Sequence, residues 1–145
     1  IARLKASAIA ATEFKSEIEK LTQNGRVLVL LDACRSAGLI SSPAKSVPAA
    51  ELLKAVMNAS NVTVLTSSRA DQVSREDERW GHGAFTKALL DALSASDEID
   101  TDHNAVISMS EFTAYIEQRL TKLTDGDQQL GLDQRFQGDI FVAGL

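Results

Sequence analysis

The 145-residue chain has one cysteine, Cys34, so no internal disulfide can form. A reducing, cytoplasmic compartment is the expectation, and a lone thiol is a candidate nucleophile. Basic residues are also in deficit: 15 Lys and Arg stand against 20 Asp and Glu, for a net charge of -5 and a pI near 5.0. Nucleic acid and anionic membrane both demand a basic face, so neither is expected as a partner. No apolar run approaches the roughly 18 residues of a membrane span, which excludes a spanning helix. Signal-peptide pattern, internal repeats and low-complexity segments are lacking too. The first residue is Ile1 rather than Met, so a fragment or processed product is expected. What is present is ordinary: 44% hydrophobic and 24% charged residues, enough for one domain with a core.

Patterning predicts alternating helices and strands. Phe14, Ile18 and Leu21 share one side of a helix over 12–22, with Thr12 as N-cap and Asn24-Gly25 as its stop. "VLVLL" (27–31) has no polar alternation and reads as a strand buried on both faces, as in a parallel sheet. Residues 38–46 read as a loop, and Pro48 opens a helix with Leu52, Leu53, Val56 and Met57 on its apolar side. "NVTVLTSS" (61–68) is a second strand, followed by a charged loop over 69–83. A helix over 84–95 turns Phe85, Leu89, Leu90 and Leu93 inward, and residues 96–107 form a loop. Ser108 and Glu111 make a capping box for a helix carrying Phe112, Tyr115, Ile116 and Leu120. A last short strand is expected around 139–143. This alternation indicates an α/β fold with a largely parallel sheet. In such sheets ligands bind beyond the carboxyl ends of the strands. Cys34 and the loop 69–83 both lie at such ends.

These residues carry a resemblance. "VLLDACRSAG" followed by "VTVLTSSRADQVSREDERWGHGAFTKALLDAL" resembles the caspase-like cysteine peptidases, in their metacaspase-like and bacterial branch. Caspases proper carry Q-A-C-[RQG]-G around the nucleophile. Here "DACRSAG" has aspartate in place of glutamine, and Ala37 departs from the usual Ser-Gly pair. The resemblance runs through essentially the whole chain. It implies a three-layer sandwich, a mostly parallel sheet flanked by helices, with residues 1–145 as the C-terminal portion of one peptidase domain. Cys34 is then the nucleophile, activated as thiolate by an imidazole.

The chain holds two histidines, His82 and His103. In the family the catalytic His-Gly lies about 50 residues before the cysteine, which falls ahead of Ile1. "WGHG" (80–83) matches instead the start of the helix after the substrate loop. The resemblance thus implies a partner: an upstream segment or chain that supplies the histidine, without which this chain is inactive.

Asp32 lies two residues before Cys34, and strand positions i and i+2 face the same side. A carboxylate on a pocket floor pairs with guanidinium or ammonium. In the metacaspase-like branch this aspartate lines the primary specificity pocket, implying a protein or peptide substrate cut after Arg or Lys. The alternative is an aspartate that caps the following turn. By resemblance, Val73, Ser74 and Arg75 correspond to the segment that pairs with substrate backbone, with Ser68 and Asp71 near the pocket mouth. Arg75 stands where the family has an aromatic. Glu76, Asp77, Glu78 and Arg79 read as surface or loop-bracing charges.

No cofactor is required on this reading. One loop nevertheless has calcium-ligand spacing. In "DTDHNAVISMSE" (100–111), Asp100, Asp102, Asn104, the Val106 carbonyl, Ser108 and Glu111 hold positions 1, 3, 5, 7, 9 and 12. Position 6 should be glycine for the sharp turn and is Ala105. The bland alternative is a polar loop with Glu111 serving the capping box. Three function classes stay open: an endopeptidase, an inactive caspase-like scaffold, and a calcium-regulated module. A thiol redox sensor leaves Asp32 and the downstream loop unexplained.

Overall fold

The computed structural model describes residues 11–32, 61–68, 72, 74–134 and 141–144. Helix α1 (Ala11–Thr22) leads through the turn at 23–25 into strand β1 (Val27–Leu31). β1 lies parallel to β2 (Val62–Thr66), in register from Val27 opposite Val62 to Leu31 opposite Thr66. The continuous apolar run at 27–31 thus makes the parallel pair its pattern predicts. β2 is buried along its full length and occupies the centre. On its other side runs β6 (Gly131–Gln134), antiparallel, with Leu65 opposite Leu132.

Among the described strands the main sheet is therefore mixed, one parallel and one antiparallel pair, and not mostly parallel. The physical reason lies just before β6. Asp125 (φ 52°) and Gly126 (φ 84°) are left-handed and end the preceding helix in a tight turn. The chain leaves that turn running against β2. β1 also departs from expectation, because Leu30 keeps 39% of its surface exposed.

Alternation of side chains along β2 builds two apolar clusters. Val62 and Val64 pack with Val29 and with Ile18 of α1. Leu65 packs instead with α2 (Ala84–Ser94) and α4 (Met109–Thr124). Phe85, Ala88 and Ala92 of α2 meet this core, with Phe112, Ile116 and Leu120 of α4. Leu90 and Leu93, expected inward, are 47% and 64% exposed. The buried arc of α2 runs instead through the alanines at 84, 88 and 92, at i, i+4 and i+8, which let two helices approach closely.

The segment 69–83, expected as an irregular loop, contains a short hairpin of β3 (Glu76–Asp77) and β4 (His82–Gly83). Between α2 and α4 lie a helical turn, α3 (Ser96–Ile99), and a strand, β5 (Val106–Ser108). The final strand, β7 (Phe141–Gly144), pairs antiparallel with β5 rather than joining the main sheet. The loop at 38–46 and the helix expected after Pro48 lie outside the described residues. No helix among the described residues is long and apolar enough to cross a membrane.

Candidate active site

The two parallel strands end together. Ser67 N–H donates to Leu31 O at 2.9 Å, so Asp32 and the Ser67–Ser68 pair leave the sheet side by side. This is the carboxyl edge at which α/β sheets take ligands. Asp32 is exposed there. Its Oδ2 accepts a hydrogen bond from the Thr86 hydroxyl in the first turn of α2. Gly83, the N-cap of α2, lies directly beneath. A Cβ on it would come 3.3 Å from Asp32 Oδ2, 3.7 Å from Oδ1 and 3.6 Å from Arg75 O.

The loop after β2 is braced by polar contacts. Ser67 Oγ and Ser74 Oγ are 2.8 Å apart, and Thr66 Oγ1 donates to Ser68 O at 3.1 Å. Gln128, fully buried, donates from Nε2 to Ser67 O at 2.5 Å and accepts Arg75 N–H on Oε1 at 2.7 Å. One side-chain amide thus ties Ser67, at the end of β2, to Arg75, just before β3. Arg75 also has contacts within the fold: its carbonyl accepts Ala84 N–H at 2.8 Å, and its exposed guanidinium pairs with Asp127 at 2.6 Å. The Ser68 side chain is buried, and its hydroxyl has no hydrogen-bond partner among the described residues.

Four sequence-predicted residues, Asp32, Ser68, Ser74 and Arg75, therefore share this edge. Cys34, Asp71 and Val73 lie outside the described residues. Thr86, Gly83 and Gln128 belong to the same edge and escaped the sequence reading. Thr86 and Gln128 are polar residues without a motif, and their contacts span 53 to 61 positions. "DGD" at 125–127 signals a turn but does not mark Gln128 as buried.

His82 sits half-buried in β4, with Nδ1 3.3 Å from Gly83 O, at the start of α2. Asp77 braces the hairpin turn: Arg79 donates to it from Nε and Nη2 and from its own backbone N–H. The side-chain bonds foremost, then the backbone bond, pull the Asp77 pKa from 3.8 to about 2.

The loop at 100–111 is separate. Carboxylate oxygens of Asp100, Asp102 and Glu111 lie within 4.8 Å of one another, a set that suits a hard cation. Asp100, 6% exposed, accepts Asn104 N–H at 3.0 Å and Ala105 N–H at 2.9 Å. Ala105 takes φ +64°, the left-handed conformation that calcium loops give to glycine, and His103 takes φ +57°. Strand β5 covers positions 7 to 9 and α4 begins at position 10. The capping box at Ser108 and Glu111 is present as its sequence predicts. The Ser108 backbone N–H, then the Ser108 and Thr101 hydroxyls, lower the Glu111 pKa from 4.5 to about 2.

No curated protein and no solved structure matches the chain. A family model does, that of the caspase domain, over residues 5–136. Helices packed on a mixed sheet agree with that match. The chain belongs to the caspase-domain family, whose general activity is that of a cysteine protease.

Proposed function

We propose that the chain is the nucleophile-bearing portion of a metacaspase-like cysteine endopeptidase that cuts after Arg or Lys. The observation that carries this reading is the exposed Asp32 carboxylate at the carboxyl end of β1, two residues before Cys34. The family's three-layer arrangement and one domain over 1–145 belong to the same reading. Asp32 receives the guanidinium or ammonium of the residue before the scissile bond. The Cys34 thiolate adds to the peptide carbonyl carbon, and the oxyanion is held by backbone N–H groups. The intermediate collapses to a thioester as the amine leaves with a proton from an imidazolium. Water then hydrolyses the thioester and restores the thiolate. The imidazole comes from an upstream segment or chain.

The test is cleavage of paired fluorogenic peptides, one with Arg and one with Asp before the scissile bond. The chain is assayed alone and with its upstream segment, with Cys34→Ala and Asp32→Ala as controls. The expected result is Arg-selective cleavage that needs the upstream segment and is lost in both variants. Arg cleavage untouched in Asp32→Ala would sink the specificity assignment. Activity of the chain alone would make His82 the base. A folded, full-length protein that cleaves neither peptide would be a scaffold.

A second reading is favoured by the left-handed Ala105 and the three clustered carboxylates. It gives the loop 100–111 a regulatory calcium ion. Calcium titration followed by calorimetry, with Glu111→Gln as control, decides it: no heat of binding ends that reading.

A further inference from the structure

We infer that Thr86 and Gly83 are positioning residues for basic-substrate recognition, acting through Asp32; the inference rests on the proposed role of that aspartate. Asp32 stands just past the end of β1, where nothing in a strand ladder restrains its side-chain rotamer. Two features of α2 bear on it. The Thr86 hydroxyl donates to Oδ2. The N-cap of α2 is glycine, with φ -66° and ψ 157°, and makes no side-chain cap. A Cβ on Gly83 would stand 3.3 Å from Oδ2, close enough that the carboxylate would have to give by a few tenths of an ångström.

Ser, Thr, Asp or Asn at an N-cap would satisfy a helix N–H and stabilise α2. Glycine here is not required by its backbone angles, which any residue adopts. What it supplies is room. The helix N-terminus, which favours an anion, receives one from β1 instead of from its own cap. The bond is exposed, so its contribution to folding is small. Its effect falls on ligand binding: a carboxylate already held in one orientation loses less freedom when a guanidinium docks. Threonine supplies a neutral donor, so the site's negative charge survives to meet the substrate.

The experiment uses the full-length protein and two peptides that differ only before the scissile bond, one with Arg and one with citrulline, its uncharged isostere. Thr86→Val is expected to raise KM for the Arg peptide roughly tenfold, leaving kcat within about twofold and citrulline kinetics unchanged. Thr86→Ser, which keeps the hydroxyl, restores the Arg KM. Gly83→Ala reads the same geometry from the other side and shifts the Arg KM in the same direction, even where Thr86→Val folds poorly. Equal losses on both peptides, or a Thr86→Ser enzyme no better than Thr86→Val, would overturn the inference and leave Thr86 as a structural tether. Asp32→Ala separates the two levels. If it leaves Arg cleavage unchanged, the role of Asp32 fails and this inference with it. If it abolishes Arg preference while Thr86→Val and Gly83→Ala match the parent, the positioning inference alone fails.

Discussion

Glu111 shows how much one side chain can be asked to hold. Its Oε1 accepts the Thr101 N–H and hydroxyl, both at 2.8 Å. Its Oε2 accepts the Ser108 N–H at 3.0 Å and the Ser108 hydroxyl at 2.8 Å. The Ser108 donors, then those of Thr101, favour the charged form, which is why its pKa falls from 4.5 to about 2. The linkage has a definite sign. A folded-state pKa below the unfolded one stabilises the fold above pH 4.5, and that contribution is lost as pH falls toward 2. Glu111→Gln should therefore flatten stability against pH in that window while lowering stability at neutral pH. Thermal melts across the range check this, and parallel curves for parent and variant would contradict it. Half of this arrangement was legible in sequence, because S-x-x-E at 108–111 encodes its own reciprocal bonds. The Thr101 half was not, since it depends on the left-handed turns at His103 and Ala105 bringing residues 10 apart together. The Thr86 to Asp32 bond was illegible for the same reason at larger range.

At the scale of elements, periodicity places helices along the chain better than it orients them about their axes. The apolar positions of α2 form a wide band, and leucines dominate it by size. The packing partner decides otherwise. α4 presents Phe112, Ile116 and Leu120, and α2 meets them with Phe85 and three alanines. A polar clasp holds the two helices alongside this seam: Asp91 of α2 accepts from Lys87 and from Arg119 of α4. Burial opposes ionisation of Asp91, but the hydrogen bonds from both cations outweigh it and its pKa is lowered. The seam therefore tolerates little added volume. Ala88→Leu should destabilise by about 1–3 kcal/mol through overpacking. Leu93→Ala, at a position 64% exposed, should stay within about 0.5 kcal/mol. Urea denaturation of the pair tests the orientation: the reverse ranking would restore the leucine face as the buried one.

At the scale of the whole molecule, the parallel pairing of β1 with β2 was legible from the unbroken apolar run at 27–31, even though β1 is covered less fully than that run implies. β6 was not. "GLDQ" has no apolar rhythm, and its place beside β2 rests on main-chain pairing, to which side-chain pattern is blind. Yet β6 and the turn before it tie the distant C-terminal half to the carboxyl edge of β1 and β2. Gln128 reaches across 61 positions to Ser67 and 53 to Arg75, and its own N–H rests on Thr124 Oγ1 at 3.2 Å. A buried amide that serves a carbonyl and an N–H together is hard to replace. Gln128→Leu keeps comparable volume but removes both of these hydrogen bonds, at about 0.5–1.5 kcal/mol for each. Asp127→Ala removes only an exposed ion pair with Arg75, 59% exposed on both sides, worth at most about 1 kcal/mol. Gln128→Leu should thus lower both unfolding free energy and kcat/KM on the Arg peptide far more than Asp127→Ala. Equal losses would mean that the loop after β2 is anchored by the surface ion pair rather than by the buried amide.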